Sequence, residues 1–405
     1  MRSRNEEKLL AHRGQPRWRP AVSLAERLAR LTVELRLVGE AKRWIGYLRS
    51  AAARDDLAIV AFNADLHEAQ LHALDDDFEA ARVLLERLAS APAAAGYSPN
   101  QHVGIEIRLG TVLGRLGDSA AAYRHFERGL ELADHLTPGD PLIGSLHSMR
   151  AQQLGVDGRY EESLAEYRVA LVLAEADLGK ASVTSIRARD GIADALMRLD
   201  RPEEALVVAD ENVRDAQTRD DALDLTSAMH TRANVYLQLQ RFEDARREAI
   251  AALTLSETEH GSSAATRNAR LTYANALESL GEHDEARAAA NVALDESVQL
   301  FGSEHPETMA VVIALAVIEA HAGNHGESLV LHRRARAGFE AAFGADHPAV
   351  ALESYNIGEA LLNLGDPAAA VPCSTSTRIP QAATTRRPHR VDVRCRARGW
   401  VLLTG

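Results

Sequence analysis

Apolar side chains along this 405-residue chain recur at helical spacing in short blocks that stop at a turn and resume beyond it. The block at 109–130 is complete. Leu109, Leu113 and Leu116 share one helical face, Gly117-Asp118 interrupts, and Ala122, Phe126 and Leu130 follow at steps of four as the face of a second helix. Gly110 and Ala122, two small residues twelve apart, fall where the two helices of such a hairpin would touch. The same pair returns as Ala69/Ala81, Ala151/Ser163, Ala193/Ala205, Ala233/Ala245, Ala274/Ala286, Ala316/Ser328 and Gly358/Ala370, and successive pairs lie 40 to 42 residues apart. Eight matches in one register are an internal repeat, and a period of this length signals stacked helical hairpins.

The connections repeat as well. Gly158, Gly281, Gly323 and Gly365 occupy hairpin turns, where a helix ends in a left-handed residue. Phe301-Gly302-Ser303-Glu304-His305-Pro306 returns 42 residues later as Phe343-Gly344-Ala345-Asp346-His347-Pro348. Gly stops one helix and Pro suits the first turn of the next, so His305 and His347 read as loop or capping residues, not metal ligands.

Leu109-Gly110-x2-Leu113 followed by Ala122-x3-Phe126 resembles the tetratricopeptide signature, and the long period with its FG-x-[ED]-HP linkers resembles the 42-residue variant of kinesin light chains and bacterial signalling proteins. The resemblance spans about 56–371. It implies an all-α, right-handed superhelical solenoid of stacked antiparallel hairpins, with about eight units and an incomplete last one. It departs from the family in lacking a Trp on the first helix of every unit and in placing Ser163 and Ser328 at alanine slots.

Outside the array, residues 1–20 read as a flexible leader. Residues 21–55 read as a degenerate hairpin acting as N-terminal cap, with Leu28, Leu31 and Leu35 on one helix and Trp44 at the slot that later units fill with a small residue. Beyond Pro372 the pattern stops in mid-unit. Residues 372–405 hold seven arginines, one acid, three prolines and both cysteines, a net +6 against −18 for the rest. Three readings stand: a basic arm, a disordered end, or translation out of the native frame, which accounts best for a break inside a helix. On that break, Leu361, Leu362 and Leu364 are expected to lose cover and to promote self-association.

Composition narrows function by exclusion. The chain has 72 alanines and 4% aromatic residues, a core of small side chains at close helix contacts. Forty-three arginines against three lysines report on a GC-rich genome. Two cysteines make no disulfide framework, no secretory signal is visible, and the longest uncharged apolar run, Met309–Ile318, is too short to span a bilayer, so a cytoplasmic protein is expected. There is no phosphate loop, dinucleotide fingerprint, kinase motif or nucleophile elbow. His67 and His72 are one residue too far apart for a zinc-protease helix. Asp75-Asp76-Asp77 and Asp220-Asp221 read as turn and cap residues. No enzymatic activity and no cofactor are expected, and an acidic array repels nucleic acid.

A protein or peptide partner remains. In peptide-binding members of the family, a polar residue just after the small residue of the first helix grips the ligand backbone or a carboxylate. The matching positions are Gln70, Thr111, Gln152, Asp194, Asn234, Asn275, Val317 and Glu359. Arg187, Asp190, Asp194 and Arg198 share one helix face, either as ligand contacts or as a self-satisfied, solvated salt-bridge face. The resemblance thus implies a peptide-binding set of Gln152, Arg187, Asp194, Arg198, Asn234 and Asn275 on a non-catalytic adaptor. The alternative it implies is the sensing portion of a larger bacterial kinase or NTPase regulator.

Overall fold

The computed structural model of the protein describes residues 18–34, 37–55, 58–90, 98–137, 139–219, 221–345 and 347–370; of the leader expected at 1–20, residues 1–17 lie outside them and residues 18–20 open the first helix, and the tail expected at 372–405 lies wholly outside them. Every regular element described is a helix. They form two compact units, one ending at Gly179 and the other starting at Lys180.

The N-terminal unit holds four hairpins: α1 (Trp18–Glu34) with α2 (Val38–Asp55), α3 (Ala58–Leu74) with α4 (Phe78–Ala89), α5 (Pro99–Arg115) with α6 (Ser119–Ala133), and α7 (Pro141–Val156) with α8 (Tyr160–Leu178). The C-terminal unit continues with α9 (Val183–Arg198) and α10 (Pro202–Ala216), α11 (Ala222–Gln238) and α12 (Phe242–His260), α13 (Ala264–Ser279) and α14 (His283–Phe301), and α15 (Pro306–His321) and α16 (His325–Phe343). It closes with α17 (Pro348–Asn363) and a second helix that begins at Pro367. Within each unit, every helix packs on the next in sequence, the consecutive stacking of a helical solenoid.

All sixteen small residues of the repeat are buried. Gly110 lies under Phe126, and a Cβ there would overlap the ring. Where serine replaces alanine at position 163, its hydroxyl donates to the carbonyl of Ala151, the facing small residue, at 2.8 Å. The polar substitution therefore keeps both the close approach and a satisfied hydroxyl. The first hairpin obeys the same rule. Ala29 and Ala41, again twelve apart, are both fully buried, so Trp44 is not at the small slot; it is partly buried and meets Tyr47 edge-on at 6.4 Å.

Each hairpin turn from α3 onward passes through one left-handed residue. Five are glycine; the others are Asp76, Asp200 and Gln240, at φ 57° to 58°. Between hairpins, His305 and His347 are N-caps whose Nδ1 accepts from the backbone N–H of Glu307 (3.1 Å) and Ala349 (3.2 Å), and each ring packs on the preceding Phe301 or Phe343. Asp77 and Asp221 also cap helices. At the C-terminal end, Asp366 caps the new helix, and Leu361 is buried with Leu329, Ile357 and Ala370. Only Leu362 and Leu364 of the expected leucine trio are exposed.

Two substitutions test this packing by chemical denaturation. Gly110→Ala forces the Phe126 ring aside and is expected to destabilise the N-terminal unit by about 1–3 kcal/mol. Gln240→Gly removes a left-handed side-chain penalty and is expected to stabilise the C-terminal unit by about 0.5–1 kcal/mol, whereas a second glycine in place of any helical residue of α11 would do the reverse.

Candidate functional site

In the C-terminal unit the first helices α9, α11, α13 and α15 lie side by side, and their adjacency is written in hydrogen bonds between residues about one repeat apart. In the C-terminal unit the Ser227 hydroxyl of α11 donates to Asp190 of α9 at 2.9 Å, Gln238 donates to the Met197 carbonyl at 2.9 Å, and Thr272 of α13 meets His230 of α11 at 2.8 Å. His321 of α15 pairs with Glu278 of α13. These contacts define one face of the C-terminal unit, made of first-helix residues alone.

On that face Asp190 is the centre of a network. Asn212, reaching across from α10, donates to Asp190 at 2.9 Å and to the Ile186 carbonyl at 3.1 Å. Thr231 and Ser227 of α11 also bond to the Asp190 carboxylate. Burial nevertheless raises the Asp190 pKa to about 6; the nearby Asp224 adds to the rise and the three neutral donors oppose it. Burial raises Asp194 too, with Arg198 opposing it from 3.7 Å.

A second network surrounds His230. The amide nitrogen of Asn234 has only hydrogens to give, so at 3.1 Å it donates to Nε2 of His230. Nδ1–H then donates to the Thr272 hydroxyl, which passes its own hydrogen to the Asn268 carbonyl at 3.2 Å. This chain needs a neutral ring. Burial pushes the His230 pKa down to about 4, helped by the positive charge of Arg267.

The sequence-predicted residues separate on this geometry. Asp194 and Arg198 pair with each other, and Asn234 is tied to His230 with its buried oxygen lacking a partner among the described residues. Arg187 is exposed and acts on Asp224 only through its charge. Gln152 and Asn275 are partly buried, on α7 and α13, and their side chains make no hydrogen bond among the described residues. Gln152 belongs to the other unit from the remaining five. Sequence reasoning missed Asn212, Ser227 and Thr231. Their signal was available: Ser227 and Thr231 flank the first-helix face one repeat beyond Asp190, at separations of 37 and 41.

Among the described residues there is no group of three or more His, Cys, Asp or Glu able to hold a metal ion, and no helix long and apolar enough to cross a membrane. Residues 224–295 and 298–375 match the tetratricopeptide repeat family model, so the chain carries these repeats. No curated protein matches it. The fold is similar to that of the apo quorum sensor NprR from B. thuringiensis, at TM-score 0.57 and 13% identity over 88% of this chain and 97% of that one. NprR bound to its cognate peptide NprX matches at TM-score 0.54 and 14% identity, covering 88% and 96%. A signal-transduction ATPase (STAND protein) with a tetratricopeptide repeat sensor, from Pyrococcus horikoshii, matches at TM-score 0.53 and 16% identity, over 80% of this chain and 48% of that one.

The two asparagines are expected to respond differently to truncation. Asn234→Ala strips His230 of its donor and should lower stability by about 1 kcal/mol, while Asn275→Ala leaves the melting temperature within about 1 °C of wild type. The His230 ring carries a pH signature. Its folded pKa lies below the unfolded value, so its contribution is complete above pH 6.5 and is lost as pH falls toward about 4. Asp190, raised to about 6, works in the opposite direction over the same window. Relative to His230→Gln, the wild type should therefore lose about 1–2 kcal/mol between pH 7 and pH 5, read from denaturation curves at each pH.

Proposed function

We propose that the tetratricopeptide repeats of this chain form a non-catalytic platform that binds an extended peptide along the first-helix face. The observation that carries this reading is the unused amide of Asn275, with that of Gln152 in the other unit. An amide offers a donor and an acceptor, the pair that an extended peptide backbone presents in return. Asn is also a poor helix former, so its place in mid-helix on α13 is not explained by helix stability. The neighbouring polar groups are already bonded within the protein and serve to hold this face in place. The fold supports the reading by analogy, since NprR has been seen with its cognate peptide.

A second reading gains support from the STAND neighbour: the array would be the sensor of a larger signalling protein. The two readings share the binding face and differ in what the bound state reports to. Co-purification of the native protein in a complex with a kinase or NTPase polypeptide would favour the second.

The test is selection from a random decapeptide display library, followed by affinity measurement on synthetic copies of the selected peptides. Asn275→Ala is expected to weaken binding to peptides held by the C-terminal unit about tenfold, an amount equivalent to one or two backbone hydrogen bonds, without lowering stability. Gln152→Ala should do the same for peptides held by the N-terminal unit. Selected peptides whose affinity neither variant changes would remove both amides from the reading.

A further inference from the structure

The first helix of the array carries leucines at slots that are covered in later hairpins. Val22, Ala25, Ala29 and Val33 of α1 are buried in one cluster with residues of α2 and α3. Beside that face, Leu24, Leu28 and Leu31 follow at steps of four and three, so they form one stripe. Leu24 is 43% exposed and Leu31 is 48% exposed, with Leu28 partly buried between them. Arg27 stands three residues after Leu24 and four before Leu31. It is exposed and makes no ion pair among the described residues.

Relative to Ala29, the small residue of the hairpin, these leucines stand five before, one before and two after. Contacts within each unit show what covers those slots elsewhere. Leu146 of α7, five before Ala151, faces Gly129 of α6, where a Cβ would stand 3.1 Å from the leucine Cδ1. Arg232 of α11, one before Ala233, donates to Asp210 of α10 at 3.1 Å. Gln153 of α7, two after Ala151, donates to Ser119 of α6 at 3.1 Å. Each of these partners belongs to the second helix of the preceding hairpin. In α3, α5, α7, α11, α13, α15 and α17 the slots five before and two after the small residue are 8% exposed or less. In α1 the same slots hold leucine and lie open. A hairpin that closed the array would be polar there.

We propose that residues 5–13 of this chain cover the leucine stripe of α1, packing on it as the second helix of a preceding hairpin would. The connection fits. Gly14 to Arg17 places a leading glycine and four residues before α1, as Gly302 to His305 do between α14 and α15 and Gly344 to His347 do between α16 and α17. The sequence of the segment fits as well, with Glu6 and Glu7 at its start, His12 and Arg13 at its end and Gly14 to stop it. As a helix it would run about 13 Å, against roughly 10 Å from Leu24 to Leu31. Leu9 and Leu10 are its large apolar residues, and Glu6 shares their face one turn earlier. Antiparallel packing from so short a linker sets Leu9 and Leu10 against Leu24 and brings the Glu6 carboxylate to Arg27. The segment thus supplies both the apolar cover and the countercharge that α1 lacks among the described residues.

The test is hydrogen exchange of the full chain, read by mass spectrometry, with light scattering for its oligomeric state. In a monomeric wild type the amides of residues 9–13 are expected to exchange about tenfold more slowly than in an isolated peptide of the same sequence. Leu24→Ser combined with Leu31→Ser changes two exposed positions, so the amides of α11 should keep their wild-type protection while those of residues 9–13 return to the peptide rate. Arg27→Glu should speed exchange at residues 9–13 about threefold. Adding Glu6→Arg to Arg27→Glu should restore the wild-type rate, a result that general loss of folding cannot produce. The proposal is overturned if residues 9–13 exchange at the peptide rate in the wild type, or if the double serine variant leaves their protection unchanged. It is also overturned if the wild type is a dimer that the double serine variant dissolves, which would give the stripe to a second copy of the chain.

Discussion

The structure depends on how closely two helices of a hairpin can approach. At Gly110 the approach is close enough that the Phe126 ring occupies the space of a missing side chain. At Ala151 and Ser163 a hydroxyl bridges the two backbones. A larger residue at either slot would lever the helices apart, tilt the pair, and shift the next hairpin along the stack. Since each hairpin buries its apolar face mainly against its neighbours, one wide contact would propagate. The recurrence of the small pair from Ala29/Ala41 to Gly358/Ala370 is the chemical expression of that constraint.

Narrow hairpin contacts leave polar side chains to organise the first-helix face. The networks around Asp190 and His230 use threonine, serine and asparagine hydroxyls and amides to join successive first helices, and they bury titratable groups without matching charges. Such groups are poor stabilisers, because desolvation opposes the charged form. They do fix the geometry of a face that carries unused amides at Asn275 and Gln152. In the N-terminal unit Arg108 is likewise partly buried with no carboxylate partner among the described residues.

Much of the architecture was legible in the sequence because its determinants are local and periodic. The small pairs, the left-handed turn glycines, the His-Pro caps and the repeat length each depend on residues within a few helical turns. The first hairpin shows the limit of pattern reading. The bulk of Trp44 drew the register to the wrong residue, whereas the spacing of twelve between Ala29 and Ala41 carries the rule. The site was less legible. Asn234 and Asn275 occupy equivalent positions, yet one is tied to His230 and the other has no bond, because residue 230 is His in one repeat and its counterpart, residue 271, is Leu in the next.

The sequence by itself therefore determined the repeat, the helical class, the turn chemistry and the positions that point away from the hairpin core, since helical periodicity assigns a face to every residue. The tertiary structure alone decided which of those residues are already bonded and which lack a partner. That distinction depends on the rotation between successive first helices, which brings Ser227 to Asp190 and Thr272 to His230. It also depends on an absence. No reading of spacing could tell that Arg108 would be desolvated beside His67 while Asp65, Glu68 and Glu106 turned to other cations, because charge pairing is settled by proximity in space and not by separation along the chain.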